Sequence, residues 1–394
     1  MNRNYYIIIF LAFGVFGLIT MEMGVIGVLP QLTQKFHISS SEAGSLVSVF
    51  ALIVALSGPF LTLLTANINR KVILLTAIIM FAISNIVYAF TTKFEVMLAF
   101  RIIPAIFHPV FLSIALVTAA QLVPAEKSSK AVNRVFAGLS AGFAFGVPLT
   151  SYFAEKISLE AAFLFGAVVS FITFIGILVL LPSMPVKDKM SFGNQLSILR
   201  KPKLWLANIA AVSIHAAMFA VYSYFAEYLG QITRMNGSWI SIMLLTFGIT
   251  MIIGNFLFGT FLHKNMKKTV ILFPLLFTVI YFLVYCLGSY FLPMVIIIFV
   301  WGAIHSGGII VSQTLLMTEA KEAPEFGNSL FVSFSNVGIA VGTVIGGWFI
   351  SNLGIHQLAW GGIIFTLLAF LSIIVITAIS STSHIRSTIS SSQD

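Results

Sequence analysis

Apolar stretches of about 20 residues or more recur along the whole of this chain. Each is long enough, at 1.5 Å per residue, to cross a hydrocarbon core of about 30 Å. Twelve are read, at about 5–30, 42–65, 72–90, 96–123, 132–154, 161–181, 204–229, 239–262, 269–287, 292–318, 329–351 and 358–379. With 59% hydrophobic and 8% charged residues, the chain cannot cover itself with a water-soluble surface. The expected fold is therefore an all-α integral membrane protein of twelve transmembrane helices. The first stretch exceeds the apolar core of a signal peptide and has no small-residue cleavage site after it, so it is expected to stay as helix 1.

The net charge of +9 is a matter of topology and not of nucleic acid. With the N-terminus in the cytoplasm, the inside segments hold sixteen lysines and arginines, and the outside loops hold only Lys35, Lys93, Lys156 and Arg234. That bias follows the positive-inside rule and predicts a cell-membrane protein with both termini cytoplasmic. Arg101 lies within helix 4. The single cysteine, Cys286, excludes an internal disulfide and reads as a small core residue.

The longest polar interval, near 182–203, carries Lys187-Asp188-Lys189 and Arg200-Lys201-Pro202-Lys203 and divides six spans from six. The expected organisation is a six-helix half over 1–181, a cytoplasmic central loop over 182–203, a second half over 204–380 and a cytoplasmic tail over 381–394. The halves echo each other. Gly138, Gly142 and Gly146 of helix 5 recur as Gly338, Gly342 and Gly346 of helix 11, with the same spacing and 200 residues later. Duplication is the simplest account, and a six-plus-six parallel repeat is the organisation of the major facilitator transporters.

Glu22 stands alone in the first span, with no other charged residue from Asn4 to Gln34. A charge at the centre of a membrane helix costs roughly 2.5–3.5 kcal/mol even on the lenient insertion scale, so it is retained for a reason. Burial disfavours the charged form of a carboxyl, which makes Glu22 the leading candidate for proton exchange, with a hydrogen-bonded structural role as the alternative. His108, His215 and His305 are open to two readings, as structural hydrogen-bonding residues or as proton relays and substrate ligands. His215, Phe219 and Tyr222 share a face of helix 7, and Trp301, His305, Gly308 and Ser312 a stripe of helix 10. With Gln313, these mixed faces suit a cavity for a small amphipathic compound, or simple packing. Glu227, at the end of helix 7, reads as interfacial. The glycine face of helix 5 permits close helix approach, and Pro148 after it removes a backbone donor.

GFAFGVPLTSYF in helix 5 resembles the antiporter motif of the drug:proton antiporter family of major facilitators, especially its branch of sugar, purine and chloramphenicol exporters. EMGVIGVLPQL, AGSLVSVFALIVALSGP, FAVYSYFAEYL, TFGITMIIGN and SFSNVGIAVGTVIGGWF extend the likeness over essentially the whole chain. The resemblance implies alternating access between two halves, with Gly58, Arg70, Lys71, Gly138, Gly142, Gly146 and Pro148 as conformational residues, a purely topogenic role being the other reading of Arg70 and Lys71. It matches Arg101 to the family's helix 4 arginine, as a fixed charge beside a titrating partner; snorkelling to the interface is the other reading. It also places His108, His215 and His305 on helices that line the cavity in this fold. One departure is plain: ANINRK, after helix 2, has Asn67 and Asn69 where the family commonly has an acid.

The function expected is proton-coupled efflux of a small organic solute or drug by a monomer in the lipid bilayer. Glu22, Arg101, His108 and His305 are the proton-coupling set. An uptake symporter, a uniporter or a transporter-like receptor are the alternatives. No phosphate-binding loop, nucleophile set or metal cluster is legible, so neither an enzyme nor a cofactor is expected.

Overall fold

The computed structural model describes residues 3–65, 68–185, 195–322 and 324–391. Asn67 and the Lys187-Asp188-Lys189 cluster lie outside the described residues. The spans are α1 (Arg3–Phe36), α2 (Ser40–Leu64), α3 (Arg70–Phe90), α4 (Phe94–Gln121), α5 (Glu126–Lys156), α6 (Leu159–Leu180), α7 (Pro202–Gln231), α8 and α9 within Gly237–Leu287, α10 (Phe291–Glu319), α11 (Pro324–Leu353) and α12 (Leu358–Ser391). The run Gly237–Leu287 has 51 residues, more than twice what one crossing needs, and its backbone breaks at Asn265 (φ −157°, ψ 87°). Eleven apolar helical runs among the described residues therefore supply twelve crossings.

Side-chain caps set several helix starts: Asn69 accepts from Lys71 N–H at 3.0 Å, Ser158 from Ala161 at 3.2 Å and Asn236 from Trp239 at 3.0 Å. Large apolar side chains such as Phe256, Leu292 and Val179 are exposed around the bundle, which is the surface lipid tails require. Cys286 is among the exposed residues, so it is not the core residue expected.

The glycine repeat does the same structural work twice. A methyl group at Gly142 would lie 2.6 Å from Ile19 Cβ of α1, and one at Gly138 would strike the Ala12 carbonyl. In the second half, one at Gly338 would lie 2.5 Å from the Val212 carbonyl of α7, and one at Gly342 would strike Ala216. Ala12 and Val212 are again 200 residues apart. The repeat thus extends to individual backbone contacts.

The halves meet along two seams, α2 with α11 and α5 with α8. α5 widens to a π-turn over Gly142–Gly146, just before Pro148, whose ring cannot supply the next backbone donor. Gly248 of α8 crosses at that turn, where a methyl group would lie 2.8 Å from the Phe143 carbonyl. At the end where α1 passes into α2, Ser151 and Ser241 hydroxyls meet at 3.0 Å. There Tyr224, at a break in α7, lies between Gly44 of α2 and Gly347 of α11.

Candidate functional site

α1 changes from α to 3-10 winding at Val25–Val28, so Glu22 sits within a turn of a discontinuity. Glu22 is 6% exposed and its carboxylate Oε2 lies 2.9 Å from Nε2 of His108, which is 5% exposed. Neither His108 nitrogen completes an aligned hydrogen bond. The pair is a close approach of acid and base with hydrogen-bonding capacity unspent.

Arg101 locks this pair in place. It is 1% exposed, so it does not snorkel. Its Nη1 donates to the Met21 carbonyl at 2.7 Å, Nη2 to the Glu22 carbonyl at 2.6 Å and Nε to the Leu46 carbonyl of α2 at 2.9 Å. Charge-assisted bonds of this kind contribute about 1.5–3 kcal/mol each. The guanidinium also lies 4.6 Å from the Phe50 ring centre, and the same ring meets His108 edge-on at 5.7 Å. Arg101 therefore grips the backbone of Glu22, and the carboxylate is left to His108.

Two prolines within α4 explain further partners. Pro104 and Pro109 cannot donate to the carbonyls of Phe100 and Ala105, one turn back. The Tyr88 hydroxyl of α3 donates to Phe100 at 3.0 Å, and the Ser57 hydroxyl of α2 lies 3.5 Å from Ala105. Leu46, Phe50, Ser57 and Tyr88 were not singled out from the sequence. The prolines in RIIPAIFHPVF were the signal that carbonyls there needed outside donors.

His305 is placed elsewhere, fully buried in the second half among the rings of Tyr222 (5.0 Å), Phe247 (5.1 Å) and Phe219 (5.9 Å). Neither of its nitrogens, nor Trp301 Nε1, has an aligned hydrogen-bond partner. Trp301 joins the same cluster through Phe225 at 5.0 Å. His215 turns towards α11, meeting Phe331 at 5.7 Å, and Nδ1 lies 2.9 Å from the Ala211 carbonyl. Ser312 donates to its own helix at the Gly308 carbonyl, 2.6 Å away, and Gln313 to Asn328 at 3.2 Å. Phe219, Tyr222, Trp301 and His305 are thus brought together, and His215, Ser312 and Gln313 are not part of that ring cluster. Among the described residues, no group of three or more metal-ligating side chains occurs.

Arg70 bonds Gln121, and Lys71 Nζ donates to the Leu178 carbonyl at 2.8 Å, so this basic pair ties α3 to α4 and α6 of its own half. A methyl group at Gly58 would touch Pro109 and Ser333 at ordinary distances of 3.6 and 3.7 Å, so space does not demand glycine there. Glu227, expected at the interface, is instead buried, at 4% exposure.

The family model of the Major Facilitator Superfamily matches residues 11–324 and 207–391. The chain belongs to the major facilitator superfamily. The inner membrane transport protein YdhP of Escherichia coli (strain K12) is 29% identical over 346 residues, 88% of this chain and 89% of that protein. A probable sugar efflux transporter of Mannheimia succiniciproducens is 25% identical over 362 residues, 92% of this chain and 91% of that protein. Among solved structures, the nucleoside transporter NupG superposes with a TM-score of 0.75 at 16% identity, over 96% of this chain and 99% of that one. That likeness speaks to the fold alone. The chain is a multi-pass membrane transporter and not an enzyme.

Proposed function

We propose that this major facilitator is a proton-coupled exporter of a small organic solute. The observation that carries the reading is the buried contact of Glu22 with His108, held by the Arg101 clamp on the α1 backbone. An acid and a base 2.9 Å apart can hold one proton between them while the cavity faces one side and release it when it faces the other. Rocking of the halves about the α2–α11 and α5–α8 seams supplies the alternation. By the positive-inside rule, the lysine and arginine bias supports a topology with both termini, and the α2–α3 loop, on the cytoplasmic side. The aromatic cluster around His305 is the candidate solute-binding wall. Relatives named as probable sugar efflux transporters put sugars first among the solutes to try.

The test is a flux screen in liposomes holding purified protein, with sugars, purines and lipophilic drugs, and a pH dye to read proton movement. Glu22→Gln keeps size and hydrogen bonding but cannot titrate, so solute-induced proton movement is expected to vanish while binding of a neutral solute survives. Wild-type proton exchange in this variant would refute the assignment.

A further inference from the structure

We propose that Glu227 is a second proton-binding carboxyl, whose protonation closes the two halves against each other at the α1–α2 end of the bundle. Of the acidic side chains described, only Glu22 and Glu227 are buried. α7 breaks at Ser223 and Tyr224 and resumes over Phe225–Gln231, which carries Glu227 to the seam. There Glu227 Oε1 accepts from the hydroxyl of Ser40, the first residue of α2 in the other half, and from Gln231 Nε2 at 2.8 Å. Oε2 is buried without a partner.

No described lysine, arginine or histidine lies within ion-pair distance of Glu227. The titratable groups on the surrounding elements are engaged elsewhere or face outwards. Lys35 of α1 bonds Glu160 at 3.1 Å, and Glu42 of α2 accepts from Ser39 at 2.8 Å. The hydroxyls of Tyr224 and Tyr228 each donate to a carbonyl at 3.0 Å, those of Thr343 and Val284. His356 lies 4.9 Å from the Tyr285 ring at a tilt of 53°, and His37 and Arg234 are exposed. A full negative charge here would have two neutral donors and one bare oxygen, whereas a neutral acid leaves a single hydroxyl to satisfy. Parting of the seam takes Ser40 away and lets water in, where the carboxyl ionises. Proton uptake from this side therefore goes with closure, and proton release with opening. In an exporter, that ties resealing after solute release to external protons. This role rests on the proton-exchange reading above, but not on Glu22.

The experiment uses full-length protein with Cys286→Ser and a probe, Ser48→Cys, on the buried α2 face one turn beyond Gly44. A membrane-impermeant maleimide is applied outside intact cells from about pH 8 down to about pH 5, and each rate is divided by that of the denatured protein at the same pH. The normalised rate should fall several-fold as the outside is acidified. In Glu227→Gln, it should stay low and flat. Should that variant not reach the membrane, Ser40→Ala carries the test, and must label faster than the parent at acid pH. An unchanged pH profile in Glu227→Gln, or an unaltered acid rate in Ser40→Ala, overturns the proposal. So does a profile that Glu22→Gln alone flattens. Glu22→Gln that exchanges protons normally, beside a profile that Glu227→Gln flattens, would refute the first site and uphold this one.

Discussion

Gly44→Ala tests whether the seam at the α1–α2 end is where the halves part. A methyl group at Gly44 would lie 2.8 Å from Tyr224 Cζ and overlap the hydroxyl, against ordinary contacts of about 3.5–4.0 Å. The ring must retreat by about 1 Å, against the contacts that hold it. Its hydroxyl donates to the Thr343 carbonyl at 3.0 Å, and its other edge lies against Gly346. Overpacking of this kind costs about 1–3 kcal/mol, and only while α2 lies on α7. The helix-propensity gain of alanine, about 1 kcal/mol, is common to both conformations and cancels. At tenfold per 1.4 kcal/mol, the balance moves about 5- to 150-fold towards the open seam. Impermeant maleimide labelling of Ser48→Cys, in the Cys286→Ser background, should quicken by that factor while thermal stability in detergent holds. Tyr224→Phe should offset part of the gain, because it removes the overlapping oxygen, making the pair non-additive. Unchanged labelling of a folded Gly44→Ala protein would refute the reasoning: the halves would then separate elsewhere.

Gly142→Leu should still insert, but with lower thermal stability and transport, since even a methyl group meets Ile19 Cβ at 2.6 Å. Normal flux at normal expression would show that the α1–α5 approach is not needed. Arg101→Lys should reduce transport at least tenfold, because one ammonium cannot span carbonyls on both α1 and α2. Wild-type flux in that variant would remove the clamp from the mechanism.

Helix number, the division into halves and the glycine repeat were all legible, because each is written in local composition or fixed spacing. Glu22 was legible for the same reason, as a charge where the bilayer tolerates few. Its partner was less so. Glu22 and His108 are 86 residues apart, and only the folded packing of α1 against α4 brings them to 2.9 Å. The seven-residue step from Arg101 to His108 placed both on one face of α4, yet it gave no reason for Arg101 to choose the Glu22 carbonyl over its carboxylate. Glu227 misled because helix-end position suggests water, whereas the break at Tyr224 tucks this segment under α2.

The 200-residue register also shows how the duplicated halves diverged. Glu22 corresponds to Tyr222 and Arg101 to Trp301. The first half keeps an acid, a base and a clamped cation in contact, whereas the second has rings at two of those stations, Tyr222 and Trp301, and a glycine, Gly308, at the third, with Tyr222 5.0 Å from the His305 ring. A low-dielectric interior makes each charge expensive, so a buried charged cluster is a candidate for function. The aromatic copy offers large, flat, apolar surface with a few unspent polar atoms, the mixture that small-molecule sites use. On the proposed reading, the Glu22–His108 pair of one half and the ring cluster of the other are coupled through the seams between them. The residues that join those seams, Gly44 with Tyr224 and Gly248 with the α5 π-turn, are therefore where substitutions should uncouple the two fluxes without abolishing either binding event.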